Sequence, residues 1–407
     1  MPTSFKQNLK EVSMKYIILL ADGMGDVPVE ELGGKTPLEA ANTPHMDALF
    51  RHSMSGMVNP LCKGFPFGSD IGNMTMLGNN PNEHYTGRAP MEAANMGIEL
   101  GGKDVAFRCN LVYVKSEKMI DYSSGHISTE ESKTLIKMLD KKLGSDDVRF
   151  YPGKSYRHIM VMKGGENIKA SPPHDITGQS IEPHMPKGAG ADRLIQLMRD
   201  SQLLLDGHEV NMRRRTEDKN PANMIWLWGQ GKKLDLPQLK DKYGLKGAVI
   251  SAVDLVNGIG ISMGLKVVDV PGVTGYIDTN FAGKADYALK AMKNVDFVYL
   301  HVEATDEMGH NKDIKGKIHA IEKFDGEIVS RISEGMKQFR EYRIMITSDH
   351  ATPVKAGTHT NDPVPFMIYD SSKAVNSEPI KYSEKAAAIT GIAYKNGWEL
   401  FDFFIKK

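Results

Sequence analysis

The chain has 407 residues, enough for a large hydrophobic core and for two compact units. Its 51 Lys and Arg residues balance its 51 Asp and Glu residues, so the formal net charge is zero. Because nucleic-acid binders carry a basic surplus, we expect no nucleic-acid partner. A small anionic substrate would need only a few well-placed cations.

Two cysteines, Cys62 and Cys109, are too few for a disulfide framework of the secreted kind, so the sequence predicts a cytoplasmic location. Residues 16–21 form the longest strongly apolar run near the N-terminus. A membrane-spanning helix needs roughly 20 such residues, and we expect no membrane partner. Residues 1–13 have no apolar signal core, and we expect a disordered leader there.

The two ends of the chain alternate between apolar strands and helical segments. The first predicted strand covers residues 16–21 and stops at Asp22 and Gly23. Further strands are predicted at 248–252, 265–270, 297–302, 343–347 and 365–369, with helical segments at 254–263, 284–292, 314–339 and 398–405. Unbroken apolar strands that alternate with helices are typical of a doubly wound α/β core with a mostly parallel sheet.

The middle of the chain has a different composition. Residues 103–239 contain more Gly, Pro and charge, and short alternating runs such as residues 158–162. This change predicts a smaller α+β domain inserted into the core. The core itself would then consist of residues 14–102 and 240–407.

Candidate metal ligands follow several of the predicted strands. In an open parallel sheet the carboxyl ends of the strands meet at one crevice, so these residues can converge there. Three Asp and three His residues are present in this pattern: Asp22, Asp306, His310, Asp349, His350 and His359.

This donor set suits divalent metal ions, because imidazole favours Zn or Mn and carboxylate favours Mn or Mg. Two ions a few ångströms apart can activate a nucleophile and stabilise an in-line phosphoryl displacement. Each motif alone would be better explained as a turn or a buried histidine. The whole set at successive strand ends favours a two-metal site.

Ser69 is the candidate nucleophile, within the sequence Gly68-Ser69-Asp70 at a predicted helix start. Taken alone, such a serine would be an ordinary helix cap. Together with the metal ligands, it is typical of an activated hydroxyl at a helix N-terminus, where free amides favour a phosphate.

Several motifs together resemble the archaeal-type, cofactor-independent phosphoglycerate mutases of the alkaline phosphatase superfamily. The resemblance covers nearly everything after Met14. The motifs are those at residues 22–26, 68–70, 85–88, 107–112, 221–229, 306–310 and 348–353.

The resemblance implies an alkaline phosphatase-type core and two divalent ions, which could be Mn, Mg, Zn or Co. One ion would bind Asp22, Asp349, His350 and Ser69, and the other would bind the remaining three ligands, Asp306, His310 and His359. Ser69 would take the phosphoryl group from one phosphoglycerate as phosphoserine and return it to the other hydroxyl, without 2,3-bisphosphoglycerate.

A substrate with a phosphate and a carboxylate needs further cations, and arginine binds either group with two hydrogen bonds. We expect catalytic roles for Arg88, Arg214 and His126. Candidate substrate-binding residues are Arg108, Arg157, His174, Asp175 and Lys284. Each could instead be a solvated cation or a structural hydrogen-bonding residue.

Three alternatives remain at this point. A phosphatase or phosphodiesterase of the same superfamily would share the metals and the nucleophile. A homoserine kinase-like phosphotransferase has been suggested for bacterial sequences of this kind, although no Gly-rich nucleotide loop with Lys is present. A non-catalytic metal-binding protein is the third. For the phosphotransfer enzyme that the resemblance implies, the expected partner is a phosphorylated small molecule. We expect the enzyme to be a monomer or a small homo-oligomer.

Overall fold

The fold is described from a computed structural model that covers residues 14–373 and 381–406. The predicted leader at residues 1–13 lies outside the described residues. None of the helices in the described part of the chain combines the length and the apolar character that a membrane crossing requires. The chain divides into two compact units, one formed by residues up to His84 and from Leu236 onward, the other by residues 85–235.

The strands, numbered along the chain, are β1 Lys15–Ala21, β2 Ser53–Val58, β3 Asp104–Lys115, β4 Lys118–Asp121, β5 Val148–Lys154, β6 Arg157–Lys163, β7 Met224–Lys232, β8 Gly247–Ile250, β9 Lys266–Val267, β10 Phe297–Val302, β11 Tyr342–Thr347, β12 Val364–Asp370 and β13 Ala393–Tyr394.

The α-helices are α1 Pro37–Ala40, α2 Pro44–Phe50, α3 Ser69–Met76, α4 Pro81–His84, α5 Ala89–Asn95, α6 Thr129–Leu143, α7 Ala191–Asp206, α8 Glu209–Thr216, α9 Leu239–Tyr243, α10 Asp254–Ser262, α11 Phe281–Met292, α12 Ala304–His310, α13 Ile314–Lys323, α14 Ser330–Gly335, α15 Glu384–Ile389 and α16 Gly397–Lys406. A wider π-helical segment, Phe324–Val329, joins α13 to α14.

The first unit contains an eight-stranded sheet in the order β13-β2-β12-β11-β1-β10-β8-β9. The strands β11, β1, β10, β8 and β9 run parallel to one another, whereas β12 is antiparallel to β11 and to β2. The predicted α/β core with a mostly parallel sheet is therefore confirmed. The antiparallel direction of β12, which lies between β2 and β11, was not expected from the sequence.

Helices cover both faces of this sheet, which explains the unbroken apolar runs of its central strands. Ile17 and Leu19 on β1 pack into a large cluster with residues of α2, α11, α13 and α14. On the opposite face Tyr16 and Phe297 meet the rings of Phe404 and Phe401 on α16 edge to face. This burial on both sides fixes the strand ends that carry the site.

The second unit is built on a five-stranded antiparallel sheet in which the long strand β3 pairs with β4, β6 and β7, and β5 pairs with β6. Helices α6 and α7 pack on one face through residues such as Leu135 and Leu194. Ser128 caps α6 by accepting a hydrogen bond from the Glu131 amide. This unit has the α+β character predicted for the middle of the chain.

The limits of the two units differ from the predicted domain limits of 102/103 and 239/240. Residues 85–102 join the second unit because Ala89 and Ala93 on α5 pack against Ala106, Ile159 and Val161 of its sheet. The composition change does not mark this limit, because α5 is a separate short helix that precedes the first strand of the sheet.

Three strands differ from their sequence predictions. The strand predicted at 265–270 shortens to Lys266–Val267, because it pairs only with β8 at the edge of the sheet. The strand β2 was missed, since Ser53, Ser55 and Gly56 give it little apolar character although most of its residues are buried. β12 was predicted as a strand, but its antiparallel direction was not.

Candidate metal centre and active site

The predicted metal ligands of the first unit lie at the carboxyl ends of three adjacent parallel strands. Asp22 directly follows β1, and Asp349 and His350 come two and three residues after β11. Helix α12 begins just after β10 and carries Asp306 and His310 four residues apart, so both side chains share one helix face. His359 lies in the segment before β12. We call these six residues the candidate metal centre.

Asp22, Asp349 and His350 form one group, in which all three side chains are fully buried. The His350 Nε2 atom lies 3.3 Å from Asp22 Oδ1 and 3.4 Å from Asp349 Oδ2. The ligand atoms of the three residues all lie within 4.8 Å of one another, so one ion could contact all three. The structure thus brings together three of the residues that the family resemblance assigns to one ion.

Asp306, His310 and His359 form the second group. The Nε2 atoms of His310 and His359 lie 3.2 Å and 3.6 Å from the two carboxylate oxygens of Asp306, and 2.9 Å from each other. Their Nδ1 atoms donate to the carbonyl oxygens of Gly357 and Phe67, each at 3.1 Å. Such hydrogen bonds orient a ring so that Nε2 faces a metal.

His350 connects the two groups. Its ring centroid lies 4.0 Å from that of His359. The ligand atoms of Asp306, His350 and His359 also lie within 4.8 Å of one another, so one ion could contact all three. The Thr352 hydroxyl lies 3.2 Å from His350 Nδ1 and also donates to the Asp306 carboxylate. Both groups therefore belong to one continuous cluster.

The charges of this cluster fit divalent cations. Burial, followed by repulsion from Asp349 and Glu303, raises the pKa of Asp22 well above its ordinary value. Burial and the nearby Asp306 raise the pKa of Glu303 to about 8. Asp22 Oδ1 and Glu303 Oε2 are buried and accept no hydrogen bond. Such mutually repelling, unpaired carboxylate oxygens are the arrangement that a bound cation stabilises.

The charges of the second group, Asp306, His310 and His359, also fit a divalent cation. The hydrogen bond to Asp306 raises the pKa of His310 to about 9. Although burial raises the pKa of Asp306, hydrogen bonds from His310 and His359 hold it well below its ordinary value. A divalent ion would replace the proton that these three side chains share.

Ser69 is the first residue of α3, with Gly68 as the N-cap, so it lies where the helix presents free amides. Its Oγ atom is 3.2 Å from His350 Nε2, and the residue is partly exposed. Gly72 lets α3 approach this closely, because a Cβ there would come within 2.3 Å of the Asp349 carbonyl oxygen. The candidate nucleophile and the first ligand group therefore share one site.

Asn73 and Tyr299 were missed by the sequence analysis. The Asn73 amide donates to the Ser69 carbonyl at 2.9 Å and to Asp349 Oδ2 at 2.7 Å, while the Tyr299 hydroxyl donates to Asn73 Oδ1 at 2.7 Å. Asn73 thus links the nucleophile to a candidate ligand. In the sequence, this link is indicated only by the position of Asn73 one helical turn after Ser69.

His301 and Glu303 were also missed as site residues, although both belong to the sequence motif that leads to Asp306. His301 Nε2 lies 2.9 Å from Asp22 Oδ2. The ligand atoms of Asp22, His301 and Glu303 also lie within 4.8 Å of one another. Burial holds the pKa of His301 well below its ordinary value.

Most of the predicted substrate residues lie in the second unit, where ring contacts and charge interactions link them into one group that includes the buried Arg108. It comprises Arg88, Arg108, Arg157, His126 and His174, and we call it the cationic patch. Burial, together with the neighbouring Arg88 and Arg157, lowers the pKa of Arg108 although Glu92 accepts a hydrogen bond from it at 3.0 Å. Several positive charges therefore lie close together.

Aromatic rings connect the members of the cationic patch. The Arg108 guanidinium lies 4.2 Å from the centroid of the Trp228 ring, which contacts His174 at 5.4 Å. The Tyr156 ring lies 5.8 Å from that of His126 and 5.6 Å from the Arg157 guanidinium. The rings restrict the orientations of these side chains while leaving His126, Arg157 and His174 exposed.

His174 and Asp175 lie beside each other at the surface, with His174 Nε2 3.6 Å from Asp175 Oδ1. Burial lowers the pKa of His174, and the positive charges of Arg108 and Arg88 lower it further, although Asp175 opposes this. Within the cationic patch, His174 thus lies between the positive charges of the arginines and the carboxylate of Asp175.

Arg214, predicted as a catalytic cation, is not presented to a substrate. It is 3% exposed, and its guanidinium donates to Glu131 Oε2, the Ser124 carbonyl and the Asn220 carbonyl. The prediction is corrected because α8 turns this side chain into the unit. There it holds the turn at residues 124–126, where Ser124 and His126 have positive φ angles of 51° and 49°.

Lys284 is also corrected as a substrate-binding residue. It is fully buried on α11, and its ammonium donates to the His301 carbonyl at 2.8 Å. Burial lowers its pKa to about 8. The sequence suggested a phosphate ligand because the lysine follows a turn, but α11 packs this face of the helix against β10.

Comparisons with known proteins show the family of the chain. A family model described as 2,3-bisphosphoglycerate-independent phosphoglycerate mutase matches residues 51–211. The chain is 50% identical to a Geobacter sulfurreducens protein named as a probable mutase of this kind, over 97% of this chain and 100% of that protein. It is 45% identical to a mutase from Methanosarcina barkeri, with the same coverage.

Solved structures show the same fold. The PH0037 protein from Pyrococcus horikoshii matches with a TM-score of 0.81 and 28% identity, over 97% of both chains. A cofactor-independent phosphoglycerate mutase from Thermoplasma acidophilum matches with a TM-score of 0.67 and 23% identity, over 97% of this chain and 99% of that one.

Proposed function

Because the chain belongs to the family of 2,3-bisphosphoglycerate-independent phosphoglycerate mutases, we propose that it interconverts 3-phosphoglycerate and 2-phosphoglycerate. The observation that carries this proposal is the position of Ser69 Oγ, 3.2 Å from His350 Nε2 at the edge of the buried group Asp22, Asp349 and His350. A hydroxyl at a helix N-terminus beside metal ligands is suited to accept a phosphoryl group.

We propose that the candidate metal centre holds two divalent ions, of Mn, Mg, Zn or Co. Asp22, Asp349 and His350, with Ser69, would bind one, and Asp306, His310 and His359 the other. When bound, these ions would lower the pKa of the nucleophile and neutralise the charge of the transferred phosphoryl group.

Ser69 Oγ would attack the phosphorus atom of one phosphoglycerate and lose its proton. The bond from phosphorus to the glycerate oxygen breaks, and that oxygen takes up a proton as phosphoserine forms. The other glycerate hydroxyl then loses its proton and attacks the phosphoserine. The bond from phosphorus to Ser69 Oγ breaks, and Oγ takes up a proton. His126, an exposed imidazole of the cationic patch, is our candidate for moving these protons.

The cationic patch would bind the anionic groups of the substrate. A phosphoglycerate carries a phosphate and a carboxylate, and the clustered guanidinium groups of Arg88, Arg108 and Arg157 can donate pairs of hydrogen bonds to both. This role no longer includes Arg214 or Lys284. The two buried, reduced cysteines fit the cytoplasmic location that the sequence predicts.

The two catalytic alternatives are less well supported. A phosphatase would share the metal centre but has no need of several arginines for a glycerate carboxylate. A homoserine kinase would need a nucleotide donor, and relatives that are 45–50% identical to the chain carry the mutase name.

A coupled assay tests the proposal. Metal-depleted protein, supplied with Mn, Mg, Co or Zn, should convert 3-phosphoglycerate to 2-phosphoglycerate without added 2,3-bisphosphoglycerate, and a chelator should abolish the signal. Release of free phosphate at the same rate would indicate a phosphatase. Absence of mutase signal with every metal, together with nucleotide-dependent phosphorylation of homoserine, would overturn the proposal.

A further inference from the structure

A hydrogen-bonded chain leads from the start of α10 to the candidate ligand Asp22. The Val253 amide donates to Ser251 Oγ at 3.0 Å, Ser251 Oγ lies 3.1 Å from His301 Nδ1, and His301 Nε2 lies 2.9 Å from Asp22 Oδ2. His301 and Asp22 are fully buried, and Ser251 is nearly so. No proposed step uses Ser251 or His301.

The donors in this chain can be assigned from the capacity of each group. Ser251 Oγ already accepts from the Val253 amide, and its own hydrogen is available to donate to His301 Nδ1. An ionised Asp22 offers only lone pairs, so the contact at 2.9 Å requires the hydrogen on His301 Nε2. The Asp22 end therefore specifies the tautomer, and the Ser251 end is compatible with it, since a serine hydroxyl can donate to an unprotonated Nδ1.

This tautomer gives the two oxygens of Asp22 different surroundings. Oδ2 accepts from His301, whereas Oδ1 is buried, accepts no hydrogen bond and lies 3.3 Å from His350 Nε2. The Thr305 hydroxyl also donates to the Asp22 carbonyl, and Lys284 holds the carbonyl of His301. The carboxylate is thus held on one side and left open on the side of the other ligands.

We propose that His301 is a positioning residue that acts through Asp22, and that Ser251 supports its tautomer. It orients the carboxylate so that Oδ1 faces the ion. This inference rests on the proposed metal centre and adds to it two residues that do not touch the substrate. The hydrogen bonds of such residues typically alter metal affinity or activity by 10- to 100-fold.

The same side chains suggest a competing role for His301. Asp22, His301 and Glu303 lie close enough for a further ion. However, an Nε2 atom that carries hydrogen cannot bind a metal, and Glu303 Oε2 lies 3.8 Å from it, beyond hydrogen-bonding distance. Counting bound ions separates the two roles.

The experiment compares the full-length protein with His301→Gln, His301→Leu, Ser251→Ala and Ser251→Thr. Each metal-free protein is titrated with Mn²⁺, the free ion is followed by electron paramagnetic resonance, and thermal stability is measured in parallel. The Gln amide can donate to Asp22, so His301→Gln should bind Mn²⁺ more tightly than His301→Leu. His301→Leu should lose about 10- to 100-fold in affinity at one site.

If His301 served only to pack the core, His301→Leu should bind Mn²⁺ more tightly than His301→Gln, because leucine is better tolerated than glutamine in a buried position. Ser251→Ala should weaken the same site, and Ser251→Thr, which keeps the hydroxyl, should restore it. Equal affinities in all variants would overturn this inference alone. So would three bound ions in the wild type that fall to two in His301→Leu. A wild-type protein without Mn²⁺ binding would overturn the metal centre as well.

Discussion

The candidate metal centre and the cationic patch are built in different ways. The metal centre uses side chains that mostly follow the ends of parallel strands, where backbone hydrogen bonds and burial fix Asp22, Asp349 and His350. The cationic patch uses long side chains on an antiparallel sheet and its connections, held by ring contacts and ion pairs. Ligands that must meet within a few ångströms require the first construction. Groups that recognise a flexible anion can use the second.

Burial reflects the same difference. Asp22, Asp349 and His350 are fully buried, so unsatisfied charge there is costly and only a cation balances it. In the cationic patch, His126, Arg157 and His174 remain exposed, so water stabilises the charge of Arg157 without a ligand. We therefore expect substitutions in the metal centre to remove function, and most substitutions in the patch to weaken it by degrees.

The largest effect is expected for Ser69→Ala. Removal of the nucleophile should lower kcat by several orders of magnitude, because no other group can form the covalent intermediate. Mutase turnover measured by the coupled assay tests this, and mass spectrometry of quenched wild-type protein should find phosphate on Ser69. Ser333→Ala, which removes a hydroxyl from α14, serves as the control. Near-normal turnover of Ser69→Ala would exclude the covalent route.

His359→Ala should remove about one equivalent of metal and leave the other ion bound, because Asp22, Asp349 and His350 form a group of their own. Elemental analysis of the purified variant gives the count. His319→Ala, an exposed histidine on α13, should keep the full complement. Two full equivalents in His359→Ala would contradict the assignment of this ligand.

The sequence predicted which candidate metal ligands lie together far better than it predicted the orientation of the candidate substrate residues. Strand ends are visible as the points where apolar runs stop, and in a parallel sheet these ends share one edge. Asp22, Asp306 and Asp349 could therefore be placed together before any coordinates were known. His301 was missed because it lies within a strand, where a buried histidine usually fills the core.

Orientation in the second unit could not be predicted in this way. Arg213, Arg214 and Arg215 are consecutive on α8, and the helical period alone does not tell which one faces the unit interior. Only Arg214 is buried, because Glu131 and two carbonyl oxygens accept its hydrogen bonds. Similarly, the start of the second unit at residue 85 depends on the packing of α5, which the composition of the sequence does not reveal.

Arg214→Ala should destabilise the protein by about 3 kcal/mol, because it removes the buried donor of the Ser124 and Asn220 carbonyl groups and one of the donors of Glu131. Chemical denaturation measures the free energy of unfolding. Arg213→Ala is the matched control, since its half-exposed side chain also pairs with Glu131 and should cost less than about 1 kcal/mol. If Arg214→Ala kept full stability but lost substrate affinity, the substrate role would be restored.

Arg157→Ala should lower kcat/KM for phosphoglycerate by about 10- to 100-fold, as expected for the loss of about 1.5–3 kcal/mol from a charged hydrogen bond. Metal content should be unchanged. Arg149→Ala on the neighbouring strand β5 is the control, because its exposed side chain pairs with Asp140 instead. Equal kcat/KM for the two variants would remove Arg157 from the cationic patch as a binding residue.

The smallest effect is expected for Ser128→Ala, which removes the cap of α6. The Ser128 hydroxyl accepts from the Glu131 amide at 3.3 Å and donates to Glu131 Oε2 at 3.0 Å. Loss of a cap typically costs about 1 kcal/mol. Although burial raises the pKa of Glu131, hydrogen bonds from Arg213 and Ser128 hold it below its ordinary value of 4.5.

A carboxyl group whose pKa is depressed by folding adds stability above its unfolded pKa and loses it as the pH falls through its folded value. The stability difference between the wild type and Ser128→Ala should therefore be largest above pH 4.5 and should shrink below it, as Glu131 becomes protonated in both proteins. Denaturation curves at several pH values test this, with Thr134→Ala on the same helix as the control. A difference that stays constant down to low pH would mean that the cap stabilises α6 only through the Glu131 amide and not through its carboxylate.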